Sequence, residues 1–210
     1  MAEILISQAP KNHEKRDIRL AELALSARNG SESAFEDMVK LCERGVYELA
    51  LQVSRNREDA LDISQDTFIK LWQFLGSEAS LDEIKSWYSY VLRMARNCAL
   101  DFLRKQSIRR HDSLSVADED GERKDMEIPD DDISSDPVLS YYRSERIEAV
   151  RDAINSLEDD YRQVLVLREN EGCSYKEISD IMGIEMGTVK SKIFRARNLV
   201  KEYLQKRNIF

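Results

Sequence analysis

Apolar side chains recur along this chain every three or four residues, the spacing of helices packed on one side. Between Ser33 and Val53 the repeat runs through Phe35, Met38, Val39, Cys42, Val46, Leu49, Ala50 and Val53. The next run, REDALDISQDTFIKLWQFL, places Ala60, Ile63, Phe68, Leu71, Trp72 and Leu75 on an inward face. Asp62, Gln65, Asp66 and Gln73 project elsewhere, and Gly76 ends the run. Ser80-x-x-Glu83 has the form of a capping box and predicts a third helix start. Its stripe continues through Ile84, Trp87, Tyr88, Val91, Leu92, Ala95, Ala99, Phe102 and Leu103. Residues 17–107 thus read as helices throughout. Trp87 and Tyr88 fall on the core stripe, although an exposed ring edge there could stack on an unpaired base.

The second half carries a sharper local signal. Ser174-Tyr175-Lys176-Glu177 is another capping box, followed by a short helix with Ile178, Ile181 and Met182 turned inward. Small Ser179 lets a crossing helix come close, Gly183 suits a positive-φ stop, and Ile184 can plug the turn. A new helix then begins near Glu185, so the unit is helix-turn-helix. At 100° per residue Val189, Ile193, Ala196 and Val200 share a narrow inward sector. Gly187, Ser191, Phe194 and Asn198 lie opposite, flanked by Lys190 and Arg195. That outward face is small or polar at its start and cationic along its edges, as a major-groove reader requires.

Composition narrows the class. With 7 Gly and 3 Pro in 210 residues, a turn-rich sheet protein is disfavoured. Cys42, Cys98 and Cys173 stand far apart, without a C-x-x-C pair, and His13 and His111 complete no zinc spacing with them. They read as reduced, buried thiols. A redox-sensing thiol is the alternative. There is no glycine-rich phosphate loop and no metal-ligand cluster, so neither an enzyme nor a cofactor is expected. No signal peptide and no apolar run of about 20 residues is visible, which points to a soluble cytoplasmic protein without membrane insertion.

Charge is segregated. The net charge is −8, yet residues 1–110 balance 17 basic against 17 acidic side chains. Residues 111–140 hold 11 acidic and 2 basic, a balance of −9, and residues 141–210 hold 13 basic and 12 acidic. The acidic stretch lacks helical or strand period and reads as an extended or disordered linker, either a spacer or a binding segment. Arg93 to Arg110 carries six basic residues against Asp101, suited to a nucleic-acid backbone or to a solvated surface. Gly187 to Arg207 carries seven basic residues against Glu202. With a helix-turn-helix in front of it, that run reads as a DNA-recognition helix.

Taken together, these residues resemble the extracytoplasmic-function (ECF) group of bacterial RNA polymerase sigma factors, in the sigma-70 family. DALDISQDTFIKLW resembles region 2.2, SWYSYVLRMARNCALDFLRK regions 2.3 and 2.4, and LEDDYRQVLVLRENEGCSYKEISDIMGIEMGTVKSKIFRAR region 4. The family often has Pro where Glu158 and Glu185 stand; Glu also suits a first helical turn. The resemblance implies that Asp62, Gln65, Asp66 and Gln73 face the clamp helices of the polymerase β′ subunit. It implies that the loop Gly76, Ser77, Glu78, Ala79, Ser80 and Asn97 hold a flipped −10 base, with Arg93, Arg96, Arg104 and Lys105 on phosphates. For the −35 element it implies base edges read by Lys190, Ser191, Phe194 and Arg195, and backbone held by Lys192 and Arg197. It gives the acidic linker a path through the polymerase cleft, adds the β flap as a contact, and brings in control by an anti-sigma factor.

The expected architecture is all-α, with two helical domains joined by an acidic flexible linker. Residues 1–16 are expected to be an extension without order, 17–110 region 2, 111–140 the linker and 141–210 region 4. The expected function is promoter-specific initiation with core RNA polymerase. A stand-alone helix-turn-helix regulator binding duplex DNA as a dimer is the alternative, and dependence on core polymerase separates the two.

Overall fold

The computed structural model describes residues 9–112 and 137–207, and every element among them is helical. Eight helices follow in order: α1 Ala9–Arg28, α2 Glu32–Ser54, α3 Arg57–Leu75, α4 Trp87–Asp112, α5 Pro137–Asn155, α6 Asp159–Glu169, α7 Tyr175–Met182 and α8 Met186–Lys206. The all-α expectation holds. Two boundaries move: α1 starts at Ala9, inside the stretch 1–16 expected to lack order, and α5 starts at Pro137, inside 111–140. The remainder of the acidic stretch, 113–136, lies outside the described residues, as do residues 1–8.

The local chemistry explains most helix starts. Ser31 caps α2 by accepting from the Ala34 N–H at 3.3 Å. Asn56 caps α3, its Oδ1 accepting from Glu58 N at 2.8 Å and Asp59 N at 3.1 Å. The start of α4 corrects the sequence reading. Ser80 opens no helix; its Oγ accepts from Asp82 N at 3.3 Å inside a loop running from Gly76 to Ser86. The helix begins at Trp87, where Asp17 of α1 accepts from Tyr88 N at 2.8 Å and from the Ser86 hydroxyl at 3.2 Å. A carboxylate at a helix N-terminus satisfies a free N–H and meets the positive end of the dipole.

Helices α1–α4 pack together around α2, and α5–α7 pack around α8. The two groups are not separate bodies. One contiguous buried cluster runs from Leu20, Met38, Val46 and Tyr88 into Val164, Cys173, Ile178 and Ile193. Helix α7 lies on α4, and α6 touches α2. A smaller cluster of Ala50, Val53, Ala60, Ile63, Cys98 and Ala99 closes the far end of the first group.

Candidate nucleic-acid interface

Helix-turn-helix geometry is built from α7 and α8. Ser174 Oγ accepts from Glu177 N at 3.2 Å, and Glu177 Oε2 accepts from Ser174 N at 2.7 Å. Gly183 takes φ 68°, a backbone angle a side chain resists, and donates to Ser179 O at 2.9 Å. Ser179 Oγ closes the turn by donating to Ile184 O at 2.5 Å. The turn then sets the crossing of α8 over α7.

On α8, Val189, Ile193 and Ala196 are buried and Val200 is half-buried, as the 100° spacing requires. Phe194 is 67% exposed, and Lys190, Ser191 and Arg195 are exposed around it. An aromatic ring offered so fully to solvent, midway along a cationic helix, contributes little to the core. The two residues expected on the backbone are differently placed. Lys192 pairs with Asp160 at 2.8 Å, and Arg197 binds Glu169 through Nε at 3.0 Å and a second nitrogen at 2.5 Å. Both therefore also bind α8 to α6.

A second surface lies on α4. A cleft of about 260 Å³ opens between α3 and α4, lined by Lys70, Tyr90, Arg93, Met94, Asn97 and Cys98. Asn97 and Arg93, which the sequence singled out, meet there. Lys70, Tyr90 and Met94 were not expected; Tyr90 sits one residue past the Trp-Tyr-Ser run, on no apolar stripe. The Gly76–Ser80 loop does not line the cleft. Ser77 Oγ ties the loop to Phe74 O at the end of α3, at 2.7 Å, and the Phe74 ring lies 5.0 Å from that of Tyr90. Burial pushes the Tyr90 phenol above its ordinary value, partly offset by the Arg93 cation. Arg104 and Lys105 are exposed further along, Arg104 pairing with Asp101 at 3.1 Å. Arg96 is half-buried and donates to Gln163 of α6 at 3.3 Å; burial lowers its pKa.

The outer face of α3 forms a third surface. Asp62, Gln65, Asp66 and Gln73 are all exposed on it. So is Trp72, at 42%, which corrects its inward assignment; its ring meets Phe35 edge-on at 4.8 Å. Leu61 and Ile69 are more than half exposed beside it. The sequence reading missed both because they fall outside the buried stripe. Exposed apolar side chains ringed by carboxylates and amides have the make-up of a protein interface.

Comparison with known proteins shows the family. The Sigma-70 region 2 model matches residues 38–108 and the Sigma-70, region 4 model residues 147–200. An ECF RNA polymerase sigma-E factor of Haemophilus influenzae is 34% identical, over 89% of this chain and 97% of its own length. The chain belongs to the ECF sigma factors. The RNA polymerase sigma-H factor of Pseudomonas aeruginosa is 32% identical, over 88% of this chain and 93% of its own. Among solved structures, the sigma factor RpoE of Bartonella quintana, in complex with the anti-sigma factor NepR, is similar with a TM-score of 0.59 and 26% identity. That match covers 81% of this chain and 96% of the solved one. All three surfaces of this sigma factor lie within the two matched regions or at their edges. No helix among the described residues is long and apolar enough to cross a membrane, and no group of His, Cys, Asp or Glu there could hold a metal ion.

Proposed function

We propose that this ECF sigma factor binds core RNA polymerase, reads a −35 element with α8 and captures a −10 base in the α3–α4 cleft. It supplies specificity and melting, and the polymerase supplies the chemistry. The observation that carries the reading is the α7–α8 unit, whose exposed Phe194 stands between Lys190 and Arg195. In a major groove Arg195 would give a bidentate contact to a base edge, and Phe194 an apolar contact with a thymine methyl. Lys190, Ser191, Lys192 and Arg197 would fix the helix on the duplex.

For the −10 element, the Asn97 amide offers both donor and acceptor to a base edge, and Tyr90 offers a ring for stacking. Arg93, Arg96, Arg104 and Lys105 would neutralise the phosphates, with the Gly76–Ser80 loop bordering the strand. The outer face of α3, with Asp62, Gln65, Asp66 and Gln73 around Leu61, Ile69 and Trp72, would seat on a basic coiled coil of the polymerase. Residues 17–110 and 141–210 then act as the two promoter-reading domains, with an anti-sigma factor as the regulatory partner.

Run-off transcription with core polymerase on a promoter library tests this. The wild-type chain should select promoters, and Arg195→Ala should relax preference at one −35 position, a loss of about 1–3 kcal/mol of discrimination. Promoter binding by the protein alone, with no initiation from core polymerase, would refute it.

A further inference from the structure

The loop of residues 76–86 separates α3 from α4, and α1 holds the chain at both of its ends. On the incoming side, Arg28 Nε donates to the carbonyl of Leu75, the last residue of α3, at 3.2 Å. On the outgoing side, Asp17 accepts from Tyr88 N at 2.8 Å and from the Ser86 hydroxyl at 3.2 Å. Ser86 Oγ in turn accepts from Ser89 N at 3.3 Å, so the carboxylate also orients a second cap. Each charge matches the helix end it meets. The last carbonyls of a helix carry partial negative charge and its first N–H groups partial positive charge, and neither set has partners within the helix.

Asp17 and Arg28 stand three turns apart on α1, about 16 Å along its axis. Between them Leu20, Leu23, Ala24 and Ala27 are buried in the main apolar cluster, so α1 is fixed along its length. Each helix end that it holds carries an aromatic ring beside the contact, Phe74 next to Leu75 and Trp87 next to Tyr88. Both rings meet Tyr90, Phe74 at 5.0 Å and Trp87 edge-on at 6.0 Å between centroids. Tyr90 is the aromatic wall of the α3–α4 cleft. Two polar contacts from α1 therefore fix the two rings that set this wall.

We propose that Asp17 and Arg28 are positioning residues for −10 capture: α1 braces both ends of the 76–86 loop and, through Phe74 and Trp87, sets the Tyr90 ring on which the captured base stacks. The inference rests on the −10 reading of the cleft given above. Both residues are half-buried, neither lines the cleft, and both precede the matched region 38–108. Without the brace, a smaller fraction of chains holds Tyr90 in place. Binding that needs the wall weakens by that fraction, and binding that does not is untouched.

The test uses the full chain in holoenzyme and a single-stranded −10 oligonucleotide taken from a promoter that the wild type selects. Matching oligonucleotides, each lacking one base, locate the captured position as the one whose loss costs most affinity. Asp17→Ala and Arg28→Ala should each shrink the ratio of intact to abasic affinity about fivefold, the factor one helix cap is worth. Binding of the abasic strand and selection at −35 should stay as in wild type. Asp17→Asn keeps an oxygen that accepts from the helix N-terminus and should restore the ratio. Amide exchange over residues 76–90 in the free protein should quicken in both alanine variants and not in Asp17→Asn.

An unchanged ratio would overturn the proposal, and so would an equal loss on intact strand, abasic strand and −35 duplex, the mark of general destabilisation. Asp17→Asn as impaired as Asp17→Ala would overturn the cap as the cause. Arg28→Ala carries the test should Asp17→Ala fail to fold. Should the wild-type holoenzyme capture no base at all, the −10 reading falls, and amide exchange alone still decides whether α1 braces the loop.

Discussion

At the scale of single residues, the deciding contacts are those whose partners lie far away in sequence. Gly45 shows this most directly. Replacing glycine inside a helix with alanine ordinarily stabilises by about 0.5–1 kcal/mol. Here the new methyl would meet the Tyr88 hydroxyl, at the end of a rigid ring that is 1% exposed and cannot swing aside. Overpacking of this kind costs about 1–3 kcal/mol. Gly45→Ala should therefore lower stability by about 1 kcal/mol in urea unfolding; a stabilised variant would mean that the packing there yields easily. The thiols fit the same picture. All three cysteines are buried and free, and burial pushes the Cys42 thiol up to about 12 and the Cys173 thiol higher than its ordinary value. Nothing local in the sequence marks buried Glu171, because its partners, the Tyr88 hydroxyl and the Arg16 guanidinium, stand 83 and 155 residues away.

At the scale of elements, the sequence was most readable where a helix carries its own punctuation. The short α7 has a complete capping box at Ser174 and a left-handed glycine at its end, and both were legible from spacing alone. Eight residues form a marginal helix without such support. Ser174→Ala should cost about 1 kcal/mol of unfolding free energy in urea, and an effect near zero would mean that packing on α4 alone holds the helix. The start of α4 was misread for the opposite reason. Ser80 and Glu83 have the right spacing, but the cap that operates is Asp17, brought in from α1 across 71 residues. Helical period likewise gave α3 its buried stripe but misplaced Trp72. A wide aromatic at the border of a stripe can tilt outward when a neighbour such as Phe35 offers only an edge. Exposure of Leu61 and Ile69 was illegible too, since period tells which residues face together and not which face remains uncovered.

At the scale of the whole molecule, the two matched regions share one core, and this has consequences beyond promoter binding. Composition made the division into halves legible through the acidic stretch between them, but gave no sign that the halves would dock. Scanning calorimetry of the free protein should show a single cooperative transition, because the cluster containing Tyr88, Ile178 and Ile193 must break as a unit. Two resolved transitions would show that the halves unfold independently. The shared cluster also bears on how the chain is made. Synthesis completes α4 about 70 residues before α7, roughly 4–14 s at 5–20 residues per second. During that interval the part of α4 that packs on α7 has no mate, and many ribosomes on one message bring such patches close together. Overproduction would then fail through nascent first halves sticking to one another, well before any finished chain is at risk.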